Sequence, residues 1–153
     1  MFALNLPVFA VKIKKTEAGR EIFDSLRRKY VALTPEEWVR QHFVNYLQSE
    51  KHYPISLMAN EVAIKLNSLS RRCDTVIYNN RLDPLVIVEY KQPDVAITQQ
   101  VFDQIARYNS VLRVKYLIVS NGLSHYCGMM DYEKGSFHYL SEIPDYNEIA
   151  IEN

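Results

Sequence analysis

The stretch from Leu85 to Ser120 constrains this chain most. Leu85-Val-Ile-Val-Glu-Tyr-Lys91 is β-branched and almost wholly apolar, the texture of a strand buried on both faces. Val114-Lys-Tyr-Leu-Ile-Val-Ser120 has the same texture and stops at Asn121-Gly122. Between them, Thr98 to Leu112 carries Val101, Ile105, Tyr108 and Leu112 at helical spacing. Two strands joined through a helix need a crossover, which makes Leu85–Lys91 and Val114–Ser120 parallel neighbours.

The segments before this unit extend the sheet. Thr34-Pro35-Glu36-Glu37 starts a helix: Thr34 as N-cap, Pro35 in the first helical position, Glu37 completing a capping box. Val39, Phe43, Tyr46 and Leu47 continue it to about Glu50. Met58–Lys65 and Arg72–Tyr78 read as strands, and Asn79 to Pro84 is turn chemistry leading into Leu85. These three strands are expected to be antiparallel. The fold class is therefore α/β, a central mixed sheet flanked by helices in the order α-β-β-β-α-β. Ser124–Cys127 and Ser136–Leu140 form a small C-terminal β addition, and the chain from Ser141 reads as an acidic, irregular tail. Near the start, Val8–Lys15 alternates like a strand, Glu17 to Arg20 is a turn, and Ile22–Tyr30 reads either way.

The length of 153 residues fits a single domain, 1–153, with a core over about 22–127 and the acidic tail over 131–153. A chain of this size needs no disulfide or metal staple. Cys73 and Cys127 are too few for a secreted framework and are expected to be reduced and buried. The apolar opening, Met1 to Val11, lacks a basic flank, and no run is long enough to span a membrane. The chain reads as cytoplasmic and soluble. Lys+Arg and Asp+Glu both number 18, which excludes a uniformly basic protein held to nucleic acid by bulk charge. The neutrality is a cancellation, however. Residues 1–130 carry 17 basic and 12 acidic side chains, and residues 131–153 carry one basic and six acidic.

Two carboxylates interrupt strands that otherwise read as buried: Asp74 and Glu89. A buried carboxylate without a partner shifts its pKa or forces a pairing. The separation from Asp74 to Glu89 is just enough for a hairpin that sets the two side by side. Glu89 and Lys91 project from one strand face, roughly 6.6 Å apart along the strand. Two carboxylates on adjacent strands can hold Mg²⁺ or Mn²⁺, with waters and the Tyr90 carbonyl filling further positions. A neighbouring lysine can orient an attacking water and stabilise developing phosphoryl charge. On spacing alone, Glu89 and Lys91 equally fit a plain ion pair at a strand end. The following helix adds Gln104 and Tyr108, four apart on one face and set to lean over the strand end.

Asp74, Glu89-Tyr90-Lys91 and Gln104-Ile-Ala-Arg-Tyr108 together resemble the motifs of the PD-(D/E)XK nucleases, in the branch that carries a Gln-x-x-x-Tyr motif. Within that superfamily the chain is most similar to the N-terminal nuclease domain of type I restriction enzyme R subunits. Thr34-Pro-Glu-Glu-Trp-Val-Arg-Gln41, Gln104 to Asn109 and Asn121-Gly122 share that texture, and the likeness covers about Ile22 to Cys127. The resemblance implies a restriction-endonuclease-like fold and a Mg²⁺-dependent nuclease acting on DNA. It implies Asp74 and Glu89 as metal ligands, Lys91 as the catalytic lysine, and Gln104 and Tyr108 as organisers of the site or contacts to the DNA backbone. Cys73 stands where the motif's name expects proline.

A third acid from the first helix is common in this fold. Glu36 shares a face with Val39, Phe43 and Leu47 and is expected to point inward; Glu61, on the strand before Asp74, is its rival. Of the basic clusters Arg27-Arg28-Lys29 and Arg71-Arg72, the second lies beside Asp74, placed to meet phosphates. There is no phosphate-loop or dinucleotide fingerprint, and His42, His52, His125 and His138 lack zinc spacing. The leading expectation is a metal-dependent deoxyribonuclease of restriction-modification or DNA-processing type. Its partners would be DNA, other restriction-system subunits and, for double-strand cleavage, a second copy of itself. The rival is an assembly or DNA-binding module that keeps the fold but is silent or partner-dependent. Nothing in the sequence separates DNA from RNA.

Overall fold

The structure is a computed structural model that describes residues 2–150. Its centre is a six-stranded sheet in the order β4-β5-β6-β7-β8-β9, formed by Met58–Leu66, Leu69–Tyr78, Pro84–Tyr90, Tyr116–Ser120, His125–Asp131 and Ser136–Tyr139. Only β6 and β7 run parallel, with Val86 opposite Tyr116 and Tyr90 opposite Ser120; the other neighbours are antiparallel. Helix α2, Gln99–Asn109, makes the crossover between the parallel pair. The two apolar runs therefore do lie side by side as the strand–helix–strand argument requires.

The helices cover opposite faces. On one face α1, Pro35–Glu50, buries Val39, Phe43 and Leu47 among Val86, Val88 and Tyr90 of β6 and Ile77 of β5. On the other, α2 buries Phe102 and Ala106 among Val76, Ile87, Leu117 and Val119. β6 thus feeds both layers, which is why its sequence is apolar at almost every position. Glu89 follows Ile87 on the α2 side. Both helices begin as their sequences indicate: Thr34 Oγ1 accepts from the Glu37 amide at 3.0 Å, and Thr98 Oγ1 accepts from the Val101 amide at 3.2 Å.

Several expectations need correction. Val8–Lys15 is a strand only from Ile13; Val8 is 93% exposed. β1, Ile13–Thr16, pairs with β2, Gly19–Asp24, and β2 pairs with β3, Lys29–Ala32. The ambiguous stretch from Ile22 is thus a hairpin, and the three strands form a second antiparallel sheet. Thr16 faces Gly19 across the turn, and just before the strand begins the Lys12 carbonyl accepts from the Phe23 amide at 2.9 Å. The segment from Ser141 is not merely an irregular tail. Ile143, Tyr146 and Ile149 are buried against the α1 face, and Tyr146–Ala150 forms the short helix α3. Tyr146 donates its hydroxyl to the Tyr78 carbonyl at 3.0 Å. The acidic composition concealed this, because the residues that pack are interleaved with the charged ones. Residues 151–153, also part of that expected tail, lie outside the described residues.

Helix α2 is shorter than expected as well. It ends at Asn109, continues as a 3-10 turn over Ser110–Leu112, and stops at Arg113 in a left-handed conformation with φ 52°. Cys73 and Cys127 are free and buried. Among the described residues no helix is long and apolar enough to cross a membrane.

Candidate active site

The β5–β6 hairpin brings the two strand carboxylates together. Thr75 pairs with Val88, so the next positions along the ladder are Asp74 and Glu89. Asp74 does not simply face its neighbour: its Oδ2 accepts from the Tyr90 amide at 2.9 Å, anchoring the carboxylate at the end of β6. Glu89 is the unusual group. Its Oε1 is buried and has no hydrogen-bond partner. Burial, followed by the charge of Asp74, pushes its pKa up to about 9, with the charge of Lys91 pulling the other way. Lys91 follows β6 directly and is held by its amide donating to the Ser120 carbonyl at 2.9 Å.

These groups line a cleft of about 360 Å³ between the sheet and α2. Asp74, Glu89 and Lys91 converge there, joined by Gln104, Tyr108, Arg72 and Glu36. Gln104 and Tyr108 are both exposed, Tyr108 at 52%, because the helix turns Phe102 and Ala106 to the core and leaves this stripe to the cleft. The apolar stripe read through Val101, Ile105, Tyr108 and Leu112 is accordingly displaced; Phe102, Ala106 and Asn109 are the buried positions.

Glu36 reaches the cleft, but not by pointing inward. It is exposed, whereas its neighbour Glu37 is 6% exposed. The sequence assigned Glu37 to capping, and its amide does take the Thr34 cap; its carboxylate instead accepts from Arg27, Arg40 and Gln41. Glu61 is outside the cleft lining. It sits in β4 with φ 56°, and its carboxylate bridges Arg40 at 2.6 Å and Arg72 at 3.0 Å, which lowers its pKa against the effect of burial. Arg71 also lies outside the lining. Its guanidinium stacks 4.6 Å from the Tyr108 ring, and its Nε donates to the Tyr108 carbonyl at 3.0 Å.

Among the described residues no three His, Cys, Asp or Glu side chains converge as a ready-made metal cluster. The donor set that is present still suits a hard cation. Mg²⁺ keeps several waters and is commonly bound through one or two carboxylates. A buried carboxylate oxygen without a donor, beside a second carboxylate, is an arrangement that a divalent ion satisfies.

The model of the type I restriction enzyme R protein N terminus (HSDR_N) matches residues 35–144, most of this chain. The chain belongs to that family. Its fold is also similar to a solved fragment assigned to the HsdR subunit of a type I restriction enzyme from Vibrio vulnificus YJ016. The TM-score is 0.52 and the identity 22%, over 78% of this chain and 25% of that one. The chain thus spans about a quarter of the length of that structure. No curated protein matches it.

In this R-protein N-terminal domain, two residues that sequence reasoning passed over bear on the cleft. Arg40, one turn beyond Glu37, donates from Nη1 to the Asp74 carbonyl at 2.6 Å and ion-pairs with Glu37 and Glu61. The only sequence signal was an acid–base spacing of three on the first helix. Asn109 lines the cleft, and its buried Oδ1 has no hydrogen-bond partner, while Nδ2 donates to the Ile105 carbonyl at 3.0 Å. It ends the run Gln104 to Asn109, and nothing in its local spacing marks it.

Proposed function

We propose that the cleft is the active site of a Mg²⁺- or Mn²⁺-dependent nuclease that hydrolyses phosphodiester bonds of DNA, on a restriction-endonuclease-like fold of the PD-(D/E)XK type. The observation that carries this reading is the buried, unpartnered Glu89 oxygen beside Asp74, with Lys91 on the same strand end. A structural ion pair would have satisfied that oxygen. A site that receives a cation leaves it open.

Asp74 and Glu89 would hold the ion, with the Tyr90 carbonyl and waters as further ligands. A divalent ion held there would supply Lewis-acid polarisation of a phosphoryl oxygen and a more acidic water. Within the chain itself, the Tyr90 amide fixes the direction of Asp74, and Arg40 fixes its backbone. Lys91 orients the attacking water and stabilises the charge that develops on the phosphate. Gln104 and Tyr108 face these groups from α2 and position the substrate backbone, with Arg71 stiffening Tyr108 from behind. Arg72 borders the cleft and meets a neighbouring phosphate; Glu36 serves as the outer acid on the α1 side.

The family places this chain in restriction-modification, so DNA is favoured over RNA as substrate, and other restriction subunits are favoured as partners. Self-association is a route to double-strand cleavage. The test is plasmid cleavage by the purified protein with Mg²⁺ or Mn²⁺, with Lys91→Ala as control. Cleavage by wild type that disappears in Lys91→Ala supports the assignment; cleavage that persists removes it.

A second reading has its own support. The chain spans about a quarter of the matched HsdR structure, so its activity can depend on the rest of a larger subunit. In that reading the domain binds divalent metal at Asp74 and Glu89, which calorimetry detects, but leaves DNA intact until the other parts are supplied.

A further inference from the structure

The positive charge of the body is concentrated in the small N-terminal sheet. Residues 12–32 contain seven Lys or Arg and three Asp or Glu, which accounts for most of the basic excess over residues 1–130. Of the seven, Arg27 is turned inward and paired with Asp24 and Glu37. Lys12, Lys14, Lys15, Arg20, Arg28 and Lys29 are all exposed.

The alternation of the strands sorts these cations. Ile22 and Asp24 face the core, so Lys12, Lys14, Phe23 and Tyr30 share the outer face. There the Lys12 Nζ lies 5.3 Å from the Phe23 ring and the Lys14 Nζ 4.3 Å from the Tyr30 ring, while the two rings meet edge-on at 5.3 Å. The aromatic pair therefore acts as a shelf under two ammonium groups rather than an open platform for stacked bases. Lys12 and Lys14, two apart along the chain, are roughly 6.6 Å apart along a strand. One of them is partly offset by Glu21, 3.6 Å from Lys14. At the hairpin end Lys15 stands opposite Arg20, and the alternation puts that pair on the other face, with Ile13 and Ile22.

This sheet is tied to β4 and α1 by polar contacts. The Asp24 carboxylate accepts from Asn60 Nδ2 of β4 at 2.9 Å, and Arg27 donates to Glu37 of α1 at 2.7 Å. β3 runs through Leu33 into Thr34, the cap of the helix whose first turn carries Glu36 to the cleft.

We infer that the outer face of the β1–β3 sheet, centred on Lys12 and Lys14, is a contact surface for the phosphate backbone of duplex DNA that extends beyond the cleft. The inference rests on reading the cleft as a phosphodiester site. Duplex DNA is favoured because the face presents ammonium groups outermost with its rings covered. That arrangement matches dense backbone charge, not unstacked bases.

The test is fluorescence anisotropy of the full chain with a labelled duplex in EDTA, across a NaCl series. Lys12→Gln/Lys14→Gln is compared with wild type and with Arg81→Gln/Lys134→Gln, which removes the same charge from other turns. The outer-face variant is expected to bind about tenfold or more weakly, with a salt slope shallower by about 1.8, while the control pair keeps the wild-type slope. Equal binding by the outer-face variant, an equal loss in the control pair, or no duplex binding by wild type overturns the proposal. Plasmid cleavage with Mg²⁺ is measured in parallel. Cleavage with unchanged binding in the outer-face variant removes the surface and leaves the nuclease reading. Weakened binding in that variant with no cleavage by wild type does the reverse.

Discussion

Arg40 donates a 2.6 Å hydrogen bond from Nη1 to the backbone carbonyl of Asp74, tying the first helix to the acid at the centre of the cleft. The bond sits where the β4–β5 ladder is interrupted. Asn60 pairs with Thr75 and Val62 with Cys73, but Glu61 between them has φ 56°. The carbonyl of Asp74 lies opposite this kink, and Arg40 satisfies it instead. Its remaining nitrogens are taken by Glu37 and Glu61, and these acids raise its pKa against the effect of burial.

Arg40→Ala should therefore be costly. It leaves the Asp74 carbonyl without its side-chain donor and takes the Arg40 charge from Glu37, which keeps Arg27 and Gln41, and breaking a buried pair in this way costs about 3–5 kcal/mol. Arg40→Lys keeps the charge but cannot reproduce the planar fork, so it is expected to recover only part of the loss. Urea unfolding of both variants checks this; equal stability of Arg40→Ala and wild type would refute the role assigned to the network.

Glu89 sets a pH dependence whose sign is unambiguous. Its folded-state pKa, about 9, lies above the ordinary carboxylate value of 4.5. Between these values the folded protein holds a proton that the unfolded chain releases, so stability falls as pH rises through the window. In EDTA the melting temperature should decline from about pH 5 toward pH 9, and Glu89→Gln should flatten that decline. A Glu89→Gln profile parallel to wild type over this range would show that the charge is accommodated elsewhere.

Lys91→Ala should separate chemistry from folding. Lys91 borders the cleft at a strand end, and its backbone bond to Ser120 survives the substitution. The expected outcome is a loss in cleavage rate of about 100-fold or more, the scale on which removing one charge-stabilising group acts. The urea midpoint should stay near that of wild type. A parallel loss of stability and activity would point to a structural lysine.

The C-terminal segment is expected to be structural. Ile149 is 3% exposed and belongs to the core on the α1 side. Ile149→Ala should cost about 2–4 kcal/mol, as large-to-small core substitutions do. Tyr146→Phe, which removes the hydroxyl that donates to Tyr78, should cost about 1 kcal/mol. Chemical denaturation measures both; wild-type stability for Ile149→Ala would mean that α3 is not part of the cooperative unit.

Local patterns alone determined much of this protein. Two apolar β-branched runs around a helical stretch specified the parallel pair, and Thr34-Pro35 specified where α1 begins, because such signals are written in neighbouring residues. Asp74, Glu89, Lys91, Gln104 and Tyr108 were legible as candidates for the same reason, since a charge inside an apolar strand and a polar pair on one helix turn need an explanation. What only the tertiary structure decided was how charges are shared between elements distant in the chain. Glu37 and Glu36 are adjacent, yet Arg27 from the N-terminal sheet and Arg40 draw the first inward and leave the second at the cleft. Glu61 met two arginines instead of the site, and Ile143, Tyr146 and Ile149 found a core that their acidic surroundings did not announce. Periodicity records which face of an element is apolar. It does not record which distant side chain will neutralise a given charge, and that choice is made only when the helices close over the sheet.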